Sequence, residues 1–78
     1  MSDPSFDAVL RNWIILRFSN HPDAPPALVG QVMHDRKGRF PDGRWIVTSI
    51  VLTAPNRLRA GEIVETLNTR YLLAGSVH

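Results

Sequence analysis

Three interruptions decide what this chain can build. Pro22, Pro25 and Pro26 form the first; residues 35–43, with Gly38, Pro41 and Gly43, form the second; residues 54–61, with Pro55 near one end and Gly61 at the other, form the third. Proline can neither continue a helix nor donate to a strand ladder, and it pushes the residue before it towards extended backbone. The 78 residues are therefore cut into four segments, 3–20, 27–34, 44–53 and 62–73. A chain of this length buries only ~60% of its unfolded surface, and it has no cysteine to staple it through disulfides or thiolate-bound zinc. The core has to come from the four segments. Hydrophobic residues make up 44% of the chain and charged residues 21%, so the composition of a disordered chain is absent. Residues 1–78 are expected to form one small domain.

Segment 3–20 opens with Asp3 as a helix cap and Pro4 at the first helical position. Phe6, Val9, Leu10, Trp13, Leu16 and Arg17 recur at steps of three and four, which predicts an amphipathic helix ending near Asn20, before His21-Pro22. From Ala27 the period changes to two. Leu28, Gly30, Val32 and His34 alternate with Val29, Gln31 and Met33, the pattern of a strand, and Gly30 in its middle signals a bulge or a close approach such as the Trp13 indole. Residues 35–38 and 41–43 carry the chemistry of two turns, with glycine supplying positive φ. Segment 44–53 is rich in β-branched and bulky residues and predicts a central strand.

In 62–73, Ile63, Leu67, Tyr71 and Leu73 alternate as in a strand, while Ile63, Val64, Leu67 and Tyr71 also fit a helical stripe; the threonines and β-branched residues argue for the strand. The expected architecture is α+β, one N-terminal helix packed on a three-stranded antiparallel sheet joined as a meander. Its expected core is Trp13, Ile14, Leu16, Ile46, Ile50, Ile63, Leu67 and Tyr71. The other sheet face, with Trp45, Val47 and Val51, is left short of cover, which on a small protein points to a partner or a second copy.

No constellation of residues points to catalysis. His34-Asp35 is the only adjacent histidine and carboxylate pair, but a metal site needs three or four ligands, and His21 and His78 lie in the proline-rich connector and at the chain end. Ser49 sits within a strand and lacks a glycine elbow, Glu62 and Glu65 read as surface residues, and the glycines do not match a phosphate-cradling loop. The protein is expected not to be an enzyme and to need no cofactor or metal. Its longest apolar run, residues 13–16, is far short of a membrane span, and residues 1–30 lack the order of a signal peptide, so a cytoplasmic protein with no membrane partner is expected.

Charge is concentrated in the middle of the chain. Residues 31–60 sum to +4, whereas 1–30 and 61–78 sum to −1 each, and eight of the nine basic residues are arginine, the side chain suited to bidentate pairing. Arg36, Lys37, Arg39 and Arg44 flank one turn region, with Phe40 and Trp45 among them; Arg57 and Arg59 follow the central strand, at the opposite sheet end. Arginines beside aromatic rings suit a protein interface and also suit phosphates and stacked bases. The plainest reading is a solvated hairpin tip anchored by Phe40 and Trp45. Arg36, Lys37, Arg39, Arg44 and Trp45 are the candidate partner-binding residues.

Within residues 30–75, two stretches carry a resemblance: Gly38-Arg39-Phe40-Pro41-Asp42-Gly43-Arg44-Trp45-Ile46-Val47-Thr48-Ser49, and Glu65-Thr66-Leu67-Asn68-Thr69-Arg70-Tyr71-Leu72-Leu73-Ala74-Gly75. The span resembles small uncharacterised proteins of proteobacteria and their prophages, with Asp42-Gly43 and Thr48-Ser49 as the matching pairs. Some short, cysteine-free prophage proteins of this size are anti-CRISPR inhibitors. The resemblance implies a small binding protein that inhibits a larger host complex by blocking target-DNA binding. It implies a type I CRISPR surveillance complex, type I-C in particular, as the target, with effector subunits as partners and the inhibitor a monomer or weak homodimer. It carries no residue roles onto this chain. The alternative function is a small nucleic-acid-binding module using the basic hairpin.

Overall fold

The computed structural model describes residues 6–18, 20 and 23–75. They form five strands: β1 (Ala8–Leu16), β2 (Ala27–Met33), β3 (Arg44–Val47), β4 (Ile63–Glu65) and β5 (Arg70–Leu73), with one 3-10 turn at Pro55–Arg57. The strands make a single mixed sheet in the order β3-β2-β1-β5-β4, parallel between β1 and β5 and antiparallel elsewhere. The expected α+β arrangement of a helix on a three-stranded meander is therefore overturned: the described residues contain no α-helix, and the segment predicted to be one is the central strand. Asp3, Pro4, His21 and Pro22, on which the helix ends were placed, lie outside the described residues.

The misreading has a physical origin in β1. Ala8 and Leu10 point into the core, as strand alternation requires, but the register with β2 shifts between Arg11 and Ile14. Three steps along β1 match two along β2, and Asn12 takes a left-handed φ of 52°. This bulge inserts one residue and shifts the phase of alternation. Leu10 and the partly buried Trp13 are consequently three apart, the spacing of a helix. Trp13 packs against the core and donates its indole N–H to the Ala74 carbonyl at 3.1 Å.

Gly30 faces this strand. A Cβ at that position would lie 2.8 Å from Leu10 Cγ and 3.1 Å from the Arg11 carbonyl oxygen, so the glycine permits a close approach by β1, not by the Trp13 indole. The predicted strand 44–53 is regular only through Val47. Beyond it the chain leaves β2 and crosses to β4, where Val51 bridges Thr66. Thr48 carries the break: its N–H donates to the Leu28 carbonyl at 2.8 Å, and its hydroxyl accepts from the Leu28 N–H at 3.0 Å. Val51 donates back to the Pro26 carbonyl, so the crossing segment joins both sides and the curled sheet closes like a small barrel.

Segment 62–73 is neither one strand nor a helix. It is a hairpin, turning between Thr66 and Thr69, whose buried polar groups satisfy one another. The core fills the inside of the curl with Ala8, Leu10, Leu28, Val32, Ile46, Val51, Leu58, Val64, Tyr71 and Leu73. Of the expected core, Ile46 and Tyr71 are buried and Trp13 is partly so; Leu16, Ile50 and Ile63 are half-buried, and Ile14 and Leu67 are exposed at 61% and 63%. Among the described residues no helix is long and apolar enough to cross a membrane.

Candidate functional site

The loop between β2 and β3 is built around Asp35. Gly38 donates to the Asp35 carbonyl at 3.0 Å and Arg44 to the Pro41 carbonyl at 3.2 Å, closing the two expected turns with Gly38 at φ 68° and Gly43 at φ 88°. The Asp35 carboxylate, whose side chain is fully shielded from solvent, accepts the backbone N–H groups of Lys37 (3.1 Å), Arg39 (2.9 Å) and Phe40 (3.2 Å). The Arg39 guanidinium completes the set, with Nε at 3.4 Å. Burial pushes the carboxyl pKa up, but the Arg39 and Lys37 backbone donors, with the guanidinium, outweigh it and hold Asp35 below its ordinary value. Burial likewise disfavours the Arg39 charge, and Asp35 and the Tyr71 hydroxyl more than offset it.

This organisation distributes the cations. Arg36 places its guanidinium over Phe6 at 5.7 Å and donates its N–H to the Asp7 carbonyl. Lys37 reaches across to the Asn68 carbonyl and the Thr69 hydroxyl. Arg39 and Arg44 converge on the Phe40 ring, at 5.2 and 6.0 Å, and that ring packs against the core. Four of the five candidate residues thus lie together at one end of the barrel, exposed but each in contact with the fold. Arg57 and Arg59, near the other end, both pair with Glu62, at 3.1 and 3.9 Å.

Trp45 lies apart from the loop cations, on the outer face of the sheet. There Val47, Val29 and Ile14 stand in one row across β3, β2 and β1, and Trp45, Gln31 and Arg11 in the next. Trp45 is 58% exposed and Val47 63%. A further row, Met33, Val9, Leu72 and Ile63, runs across β2, β1, β5 and β4 and is half-buried. The outer face is therefore apolar over much of its breadth, and among the described residues no second layer covers it. Sequence reading placed Trp45 and Val47 on the uncovered face; it also placed Val51 there, but Val51 is buried in the barrel closure. It missed Ile14 and the continuity of the rows, since both depend on β1 being a strand.

The residues weighed for catalysis are dispersed. His34, at φ 54°, is exposed and donates its N–H to Asp42, while the Asp35 carboxylate is taken up by the loop. The Ser49 hydroxyl accepts the Leu67 N–H. Glu62 holds the two arginines, and the Glu65 N–H bonds Thr53. Among the described residues no group of three His, Cys, Asp or Glu side chains is placed to hold a metal ion; His21 and His78 lie outside them. Two open depressions, of about 250 and 310 Å³, lie beside residues 65–70 and beside Arg17, Pro25, Pro26 and Leu52.

Comparison with curated proteins and with solved structures gives no match. Residues 5–78, nearly the whole chain, match the family described as a domain of unknown function, DUF6957, and the chain belongs to that family.

Proposed function

We propose that this chain is a small, non-catalytic protein-binding module acting through the barrel end that carries Arg36, Lys37, Arg39 and Arg44 and the adjoining outer face at Trp45. The observation that carries the reading is the exposed Trp45 and Val47 on the outer face, Val47 in one row with Ile14, on the strand that follows the arginine-rich loop. Large exposed apolar patches on small proteins mark interaction sites, and Trp and Arg are the residues that dominate binding energy at interfaces. The alternative, a nucleic-acid module, is less well supported by the loop. The rings at the loop already carry guanidinium groups: Phe40 packs on the core with those of Arg39 and Arg44 over it, and Phe6 lies under that of Arg36. As the specific partner we propose a subunit of a type I CRISPR surveillance complex in the host cytoplasm, whose target-DNA binding the module would block; this narrower statement rests on the sequence resemblance alone.

The test is binding to the purified surveillance complex, measured by interferometry with and without Trp45→Ala. The expected result is stoichiometric association weakened about 30-fold by the substitution, the effect of losing a ~2 kcal/mol hot spot. A protein that instead binds unrelated DNA or RNA, with affinity falling steeply as salt rises, is the nucleic-acid module. One that binds neither lacks the proposed target.

A further inference from the structure

A sheet that closes imperfectly has an edge to account for, and here the two edges differ. At β4 the crossing segment supplies partners: Leu52 donates to the Glu65 carbonyl at 2.7 Å, and the Glu65 N–H donates to the Thr53 hydroxyl at 2.8 Å. Among the described residues β3 is paired on its β2 side only. The Thr48 N–H bonds the Leu28 carbonyl. By the alternation of an antiparallel ladder, Ile46, like Thr48, turns its backbone groups to β2, and Trp45 and Val47 turn theirs away; the Arg44 N–H is taken by the Pro41 carbonyl. Among the described residues no hydrogen bond takes up those outward groups.

Sheet edges of this kind are ordinarily guarded by proline, lysine or a bulge. The sequence of β3, Arg44-Trp45-Ile46-Val47, has none of these, and its exposed side chains beyond Arg44 are apolar. We propose that a second copy of this chain occupies the edge, with β3 of the two copies antiparallel about a twofold axis at Ile46. The register follows from self-complementarity. Centring on Ile46 sets Trp45 of each copy against Val47 of the other, so both outward N–H groups and both outward carbonyls of each strand find partners at once. The exposed Trp45 and Val47 side chains then meet across the junction on the outer face, a favourable pairing of aromatic with β-branched residue. Arg44 falls opposite Thr48 of the second copy, not another cation, and the two basic loops leave the junction at opposite ends. The two outer faces become one continuous sheet surface. The dimer does not depend on the partner proposed above and is tested on the protein alone.

Short strand pairings bury less than the ~1,200 Å² of a stable complex, so the dimer should dissociate on dilution. Sedimentation velocity from about 1 mM to about 10 µM should show a monomer–dimer equilibrium of that weak class. Over the same range, amide exchange at Trp45 and Val47 should slow as concentration rises, while Ile46 stays protected throughout. Val47→Pro removes an N–H that the fold does not use, at a strand position where proline is tolerated, and should weaken association at least tenfold. Val47→Lys, which installs an ordinary edge guard, gives the same readout should the proline variant misfold. Leu67→Lys, at an exposed apolar site away from the edge, should leave the dimer unchanged. A monomer at every concentration, Trp45 and Val47 amides indifferent to concentration, or a dimer that survives the Val47 variants overturns the proposal.

Discussion

Replacing Asp35 by alanine tests whether the cationic loop is a built structure or a solvated tip. The carboxylate accepts three backbone N–H groups at 2.9–3.2 Å and the Arg39 guanidinium, with its own side chain shielded from solvent. A hydrogen bond to a charged group is worth about 1.5–3 kcal/mol when its partner is left stranded. Water can reach much of this loop, so about 1 kcal/mol per backbone donor is the better figure, or about 3 kcal/mol for Asp35→Ala. A domain of this length has a total stability of roughly 4–12 kcal/mol, so the variant should fold at low temperature yet melt about 12–24 °C lower. Asp35→Asn keeps one acceptor oxygen and should fall between. The pH series gives an independent reading. Asp35 has a folded pKa below its ordinary 3.8, so the unfolded chain binds its proton first on acidification; the contribution is complete above that value and is lost as pH falls through the folded pKa. Below about pH 4 the wild type should lose part of its advantage over Asp35→Asn. Calorimetric melting measures both effects. A drop of less than about 4 °C for Asp35→Ala, with no convergence in acid, would show that the loop holds itself without the carboxylate.

Two further substitutions probe the close packing and the loop charges. Gly30→Ala forces a Cβ to within 2.8 Å of Leu10, whose side chain is fully buried, and should cost about 1–3 kcal/mol by urea titration, whereas Gly75→Ala meets no atom within 4 Å and should leave the midpoint unchanged. Arg39→Glu sets a second carboxylate beside Asp35 and should lower the melting temperature by several degrees, while Arg36→Glu, at an exposed site, should change it little; equal effects would mean that Arg39 contributes nothing to loop structure.

How far the sequence discloses the fold can be followed residue by residue. β2 is legible because from Leu28 onward Leu28, Gly30 and Val32 are buried while Val29, Gln31 and Met33 are only half-buried, so the period of two survives. Both turns before β3 are legible because Gly38 and Gly43 are needed at positive φ. β1 is not, because the bulge at Asn12 rewrites a strand's alternation as a helix's spacing, and no local rule distinguishes the two. The end of β3 is hidden for a related reason: Thr48 and Val51 are good strand residues whether they pair with β2 or with β4, and only the closure of the sheet decides. In the hairpin at the C-terminal end, Thr66 and Thr69 look like strand formers but satisfy each other's backbone across a turn. At the loop, arginine density is legible, yet the sequence presents Asp35 as a turn residue and as half of the His34-Asp35 pair, not as the group that organises the loop. The signal was present: an aspartate opening a turn whose next residues offer several N–H donors is the local motif by which short carboxylates take over backbone bonding.

The same distinction bears on what the outer face means. Inside the curl, apolar residues are required, since nothing else in a cysteine-free chain of 78 residues can supply a core. The outer face carries no such requirement. A sheet solvated on one side normally alternates apolar inside with polar outside, and Arg11, Gln31, Glu65 and Arg70 follow that rule. Ile14, Val29, Trp45 and Val47 break it in adjoining rows, and Met33, Val9, Leu72 and Ile63 break it again across the rest of the sheet. Folding gains less from Trp45 and Val47 than from core side chains, because each keeps more than half of its surface exposed in the folded chain. Leaving them exposed also invites association. Their full stabilising contribution becomes available only when a surface covers them, and two of the most exposed apolar side chains of this face, Trp45 and Val47, stand on the strand at the open edge.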